Sequence, residues 1–248
     1  MDSFGRQMVV GLKPSRAVIV LLSINVAMVV VVNVLWYYFD RNSFLLDHLG
    51  LTTAGVVERY EVWQVFTYFW LHSYQDPGHV IWNLLTLWLF SGPLERHWGS
   101  ARFVRFYITC GVGAGLVVLG WGLLVPAEDP RATVGASGAI LGLVAAFGIL
   151  FPRLPIYVFG VFPMKARTLA ILFVVLSTLL PILFPSNVSV TAHIGGLAVG
   201  ALLATGYWRP DRLIRRIQLA RARRRLKVLE GGRDRIHGKG NGSGRVLH

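Results

Sequence analysis

The sequence predicts an all-α polytopic membrane protein, a bundle of six transmembrane helices, and three observations carry that prediction. Only 15% of the 248 residues are charged while 54% are hydrophobic, and the mean hydropathy of +0.55 lies outside the range of soluble domains. The apolar residues gather in runs of roughly membrane-crossing length, separated by stretches in which Pro, Gly and charge collect. The basic residues fall on alternate connections, as expected when successive helices cross a bilayer in opposite directions.

Residues 1–16 carry Arg6, Lys13 and Arg16 and form a short cytoplasmic lead. The run that follows is about 21 residues long and lacks a small-residue cleavage site, so it reads as an uncleaved first span, not a signal peptide. This span covers Ala17 to Tyr38, and Trp36, Tyr37, Tyr38 and Phe39 place an aromatic cluster at its interface end. The membrane domain then extends to residue 208. Residues 40–77 mix charge (Asp47, Glu58, Arg59, Glu61, Asp76) with aromatics and predict a long, partly helical connection in the interface. His79 to Leu94 is a short second span with Asn83 near its start, closing at Gly92, Pro93 and Glu95. Phe103 to Val125 is a glycine-rich third span, and Pro126 to Arg131 a loop. The fourth runs from about Ser137 to Phe151, too short to cross alone, so the segment before it is expected to enter as non-helical backbone shielded by protein. Pro152 to Arg167, with three prolines, reads as a loop. Leu169 to Phe184 is the fifth span, loosened at its end by Pro181. Ser186 and Asn187 offer caps for a sixth, Val188 to Trp208, which Arg209-Pro210 ends.

One side of the membrane receives Arg6, Lys13, Arg16, Arg96, Arg102, Arg105, Arg153, Lys165 and Arg167; the other receives Arg41, Arg59 and Arg131. Both termini are therefore expected in the cytoplasm, and the expected location is the plasma (inner) membrane of a bacterium. The formal charge of +13 belongs mostly to residues 209–248, which hold 13 Lys and Arg against 3 Asp and Glu. A basic tail beside a membrane predicts anionic lipid as its partner, at about 1 kcal/mol per basic residue, and argues against nucleic acid. Its last stretch, Gly231 to Gly244, reads as disordered. The single cysteine, Cys110, excludes an internal disulfide and a thiolate cluster for metal.

Polar residues inside the apolar runs are the candidates for chemistry. Ser137, between Gly135 and Gly138, is expected at the start of a shortened helix, where free amides and the positive dipole end can hold an oxyanion. Serine beside glycine also serves as a packing site. His193 lies about 7 Å into the sixth span, a depth at which a histidine marks a functional site or a polar cavity. Gly196 and Gly200 then leave one helix face bare for the fourth helix, which would bring Ser137 and His193 together. His79 and Asn83, four residues apart, share a helix face and could donate to an oxyanion or make an interhelical contact. Glu95, Arg96 and His97 predict a structural charge pair at the cytoplasmic edge, and His72 receives no role.

In this order these residues resemble the rhomboid family of intramembrane serine proteases. Gly135-Ala136-Ser137-Gly138 matches the family's Gly-x-Ser-Gly, Ala192-His193-Ile194-Gly195-Gly196-Leu197-Ala198-Val199-Gly200 its last helix, and His79-x-x-x-Asn83 its second, whose end resembles Glu95 with Gly99 and Ser100. The resemblance covers most of residues 60 to 205. It implies a six-helix rhomboid-like fold with Ser137 as nucleophile, His193 as general base of a dyad, and His79, Asn83 and the Ser137 amide as the oxyanion hole. It also implies a mobile fifth helix as substrate gate. Two departures stand out: the family's Trp-Arg in the first loop is Trp63-Gln64, removing a loop-ordering arginine, and Leu141 replaces the tyrosine that many members place under the histidine.

The expected activity is endopeptidase cleavage of transmembrane segments of other membrane proteins, at small residues by the resemblance, with neither metal nor organic cofactor. A rhomboid-like protein that binds membrane clients without cutting them is the first alternative. A proton-coupled transporter relaying through His79 and His193 is the second, although no inverted repeat is visible.

Overall fold

The computed structural model describes residues 14–38, 44–72, 77–125, 132–158, 162–183 and 188–206. The lead before Pro14, the 126–131 loop, the expected caps Ser186 and Asn187, and the basic tail from Arg209 lie outside the described residues. Residues 206–248 separate as a second unit from residues 1–205, which hold the described helices and strands.

Helix α1 (Arg16–Tyr38) starts where the apolar run starts, and its first amides are capped from a distant part of the chain. The Glu95 carboxylate accepts from the Ser15 hydroxyl, from the Ala17 and Val18 amides at 3.1 Å each, and from the Ser100 hydroxyl at 2.6 Å. A carboxylate at a helix N-terminus also meets the positive end of the dipole. Glu95 is thus a cap, not the partner of Arg96 and His97, which stay exposed. The expected charge pair is absent because four better donors converge on the same carboxylate.

Three short helices follow in the first connection: α2 (Phe44–Leu49), α3 (Thr53–Val57) and α4 (Gln64–Thr67), then a 3-10 turn, Tyr68–Trp70. Helix α5 (Pro77–Trp98) begins with proline at its first position and runs on past Gly92 and Pro93, where the apolar run had suggested an end. Residues Phe90 to Glu95 are all buried, so tertiary packing holds the helix through a proline that removes a single amide donor. Helices α6 (Ser100–Leu124) and α7 (Ser137–Leu150) come next.

The stretch expected as a loop between the fourth and fifth spans is instead a hairpin. Strands β1 (Pro155–Val158) and β2 (Phe162–Lys165) pair antiparallel, with Ile156 opposite Met164 and Tyr157 opposite Pro163. A two-stranded ribbon has only edges, which is where prolines are tolerated, and buried Ile156 pins it to the core. Helix α8 (Ala166–Leu183) carries Pro181 in its last turn. Helix α9 (Val190–Thr205) is shorter than the run that predicted it: the Ala192 amide donates to Ser189 Oγ at 3.3 Å at its start, and Gly206, at φ +68°, ends it.

Among the described residues three helices, Arg16–Leu35 within α1, Ser100–Leu124 and Ala166–Leu183, are long and apolar enough to cross a membrane, and α7 and α9 are shorter apolar helices. Helix α7 sits at the centre, packed against α5, α6, α8 and α9 with most of its side chains buried. Phe90, Phe147 and Phe173 stack edge to face where α5, α7 and α8 meet.

Candidate active site

Ser137 is the first residue of α7, and the backbone that leads to it is held by the first connection. Leu51 and Thr133 exchange two hydrogen bonds of 2.9 Å, and the Gly135 amide donates to the Tyr68 carbonyl at 3.1 Å. Gly135 has φ +119°, a backbone state closed to side chains with a Cβ, so glycine is what allows the chain to turn into the helix here. The first-turn amides of α7 have no intrahelical acceptors.

His193 is in the first turn of α9, and its Nε2 lies 2.8 Å from Ser137 Oγ. The approach follows from glycine. A Cβ on Gly196 would overlap the Gly138 carbonyl, one on Gly200 would overlap the Gly142 backbone, and Gly138 itself faces the Ala192 carbonyl. Backbone therefore lies on backbone along this seam. Ser137 is 9% exposed and His193 2%.

The other ring nitrogen of His193, Nδ1, lies 2.8 Å from the Ser177 carbonyl on α8. A carbonyl only accepts, so Nδ1 carries the hydrogen and Nε2 presents its lone pair to the serine hydroxyl. Leu141 offers the ring no hydroxyl or aromatic face as a tyrosine would; the hydrogen bond to the Ser177 carbonyl is what holds it. Ser177 escaped the sequence reading because a backbone acceptor has no side-chain signature.

His79 and Asn83, in the first two turns of α5, line the same cavity as Ser137 and His193, of about 370 Å³. Asn83 is buried and its Nδ2 has no hydrogen-bond partner among the described residues, which leaves an amide donor available to an oxygen entering the cavity. All four polar residues singled out in the sequence thus meet at one place. Among the described residues no carboxylate lines that cavity, and no group of three His, Cys, Asp or Glu could hold a metal ion.

The first connection is ordered without the expected arginine. Gln64 is fully buried; its Nε2 donates to Glu61 Oε2 at 2.6 Å and to the Asp47 carbonyl at 3.1 Å, and its Oε1 accepts from the Thr52 amide at 2.9 Å. Gly55 leaves the space this side chain fills. Glu61 also accepts from Arg59 at 2.9 Å and meets His48 Nδ1 at 2.5 Å; the Arg59 hydrogen bonds first, and His48 after them, hold its carboxyl below the usual range. His72, 1% exposed, has neither ring nitrogen partnered among the described residues, and burial, with the charge of His79 second, pushes its pKa down to about 4.

Residues 59–210 match the family model described as Rhomboid domain. RHOMBOID-like protein 1 of Arabidopsis thaliana is 33% identical over 166 residues, 65% of this chain and 39% of that protein. Rhomboid protein 1, mitochondrial, of Saccharomyces cerevisiae is 31% identical over 150 residues, 60% of this chain and 40% of its own length. The putative rhomboid protease YdcA of Bacillus subtilis is 31% identical over 176 residues, 69% of this chain and 81% of the relative. The match therefore spans about two fifths of the plant and yeast relatives and most of the bacterial one.

Proposed function

The chain belongs to the rhomboid family of integral membrane proteins, and from that premise we propose that it is an intramembrane serine endopeptidase that cuts transmembrane segments of other membrane proteins. The observation that carries the proposal is the 2.8 Å contact between Ser137 Oγ and His193 Nε2 at the start of α7. In this reading Ser137 Oγ attacks the scissile carbonyl carbon while Nε2 takes the hydroxyl proton. The imidazolium returns that proton to the leaving amine, and water then hydrolyses the acyl-enzyme with the same ring as base. Asn83 Nδ2, the His79 ring and the first amides of α7 stabilise the oxyanion, each donor being worth about 10² to 10³ in rate.

The wider arrangement is part of the proposal. Helices α1, α5, α6, α7, α8 and α9 are the six spans, with both termini cytoplasmic in a bacterial plasma membrane and the basic tail resting on anionic lipid. Short α7 is consistent with this, because the non-helical segment before it is shielded by the first connection and not by lipid. Substrates are helices that unwind readily and offer a small residue at the scissile bond.

The test is cleavage of a reporter transmembrane substrate by purified protein in lipid vesicles. Wild type cuts, and Ser137→Ala and His193→Ala each reduce cleavage by at least about 10³-fold. Cleavage that persists in Ser137→Ala removes the proposed nucleophile. A folded wild type inert toward several helix-destabilised substrates removes the protease reading in favour of client binding.

A further inference from the structure

The geometry points to Ser177 and Pro181 as positioning residues that supply, from the α8 backbone, the third member the dyad lacks: a carbonyl set free by a proline four residues later, fixing the His193 tautomer. This rests on the Ser137–His193 reading and deepens it.

In a regular helix the Ser177 carbonyl would accept from the amide of residue 181. Residue 181 is proline, which has no amide hydrogen, so that place in the ladder is empty even though α8 continues to Leu183. Both residues line the cavity that holds Ser137 and His193. The carbonyl finds its donor across the helix interface: His193 Nδ1 stands 2.8 Å from it while Nε2 faces Ser137 Oγ at 2.8 Å. Among the described residues no carboxylate lines the cavity, so none of their acidic side chains competes for the Nδ1 hydrogen.

The consequence is chemical. A neutral imidazole can carry its hydrogen on either nitrogen, and only the Nδ1–H form can accept the serine proton at Nε2. An acceptor at Nδ1 selects that form in the ground state and stays bonded to the imidazolium in the transition state. Pro181 thus serves the reaction by a hydrogen bond it does not make. Because the carbonyl belongs to α8 while Ser137 and His193 lie on α7 and α9, the tautomer is fixed only while α8 is seated against the ring.

Three full-length proteins in lipid vesicles test this: wild type, Pro181→Ala, and a form in which position 181 carries the α-hydroxy acid analogue of alanine. Pro181→Ala restores a competing amide donor; the ester form has neither that donor nor the proline ring. With the reporter substrate, Pro181→Ala is expected to lose about ten-fold in kcat with KM changed by less than about two-fold, and the ester form to recover to within about three-fold of wild type. In parallel, the ¹⁵N spectrum of the His193 ring should show the Nδ1–H tautomer in wild type and in the ester form and a mixture in Pro181→Ala. Equal kcat and tautomer in wild type and Pro181→Ala overturns the proposal, as does equal impairment of the alanine and ester forms, which assigns Pro181 to helix shape alone. If wild type shows no Ser137-dependent cleavage, the protease reading fails separately, and the tautomer measurement, which needs no turnover, decides the positioning role.

Discussion

Two regions hold Ser137 in place, and they do so by opposite means. On one side is the seam between α7 and α9, where Gly138 and Gly142 meet Gly196 and Gly200 with no side chain between the backbones. On the other is the first connection, where Glu61, Gln64, Arg59 and His48 form a polar network whose neighbour, the Tyr68 carbonyl, takes the Gly135 amide. The seam works by excluded volume and van der Waals contact, which are insensitive to pH and tolerate no added atom. The network works by hydrogen bonds whose loss leaves buried partners unsatisfied but displaces little backbone. One serine is therefore located by a rigid wall and by an adjustable one.

Breaking the wall should do the most. In Gly196→Ala the new methyl overlaps the Gly138 carbonyl, which is backbone and cannot rotate away. Overpacking of this kind is expected to cost more than about 3 kcal/mol and to separate His193 from Ser137. The check is the denaturation midpoint in detergent micelles together with reporter cleavage: both should fall. A variant with wild-type stability and cleavage would show that the seam has slack and that both walls are adjustable.

The contrast also explains what could be read in advance. The seam is written in the sequence because glycines four apart on an apolar helix have few other uses, and Ser137, His193, His79 and Asn83 stood out as polar groups in apolar runs. The network was not legible. Gln64 occupies a position where the resemblance led one to expect arginine, and only its burial against Asp47, Thr52 and Glu61 reveals that an amide can order the loop. Glu95 as a cap on α1 joins residues about 80 apart, a distance at which local pattern says nothing. The β1–β2 hairpin was hidden by prolines that normally signal loops, and the Ser177 acceptor by having no side chain to notice. Pro181, four residues after Ser177, was the visible trace of it.

Acid should sharpen the difference between the two regions, because the four seam glycines carry no ionisable group while the first connection and its continuation hold Glu61 and His72. His72 follows the Tyr68–Trp70 turn, and its folded-state pKa of about 4 lies below the ordinary 6.5. Between those values the unfolded chain binds the proton and the folded chain does not. Stability is thus fully present above pH 6.5 and falls as pH drops toward 4, by about 3 kcal/mol across the window. Glu61, whose carboxyl is held low chiefly by Arg59, adds a loss in the same direction at still lower pH. Midpoints measured from pH 7 to pH 4.5 should decline in wild type and decline less in His72→Gln. Parallel slopes for the two proteins would mean that His72 is not the group whose burial sets the window.

The smallest effect is expected from the network itself. Gln64→Leu keeps the volume and removes both ends of the amide, leaving the Thr52 amide and the Asp47 carbonyl without this partner. Glu61 retains Arg59 and His48, so the network thins without collapsing. The expected cost is about 2 kcal/mol, with cleavage reduced several-fold, since the connection still reaches Gly135 through Tyr68 and Thr133 through Leu51. Denaturation midpoints and initial cleavage rates, measured beside Gly196→Ala, decide the ranking. A Gln64→Leu loss as large as the glycine variant's would make the polar wall as unforgiving as the packed one, and Ser137 would then be fixed equally from both sides.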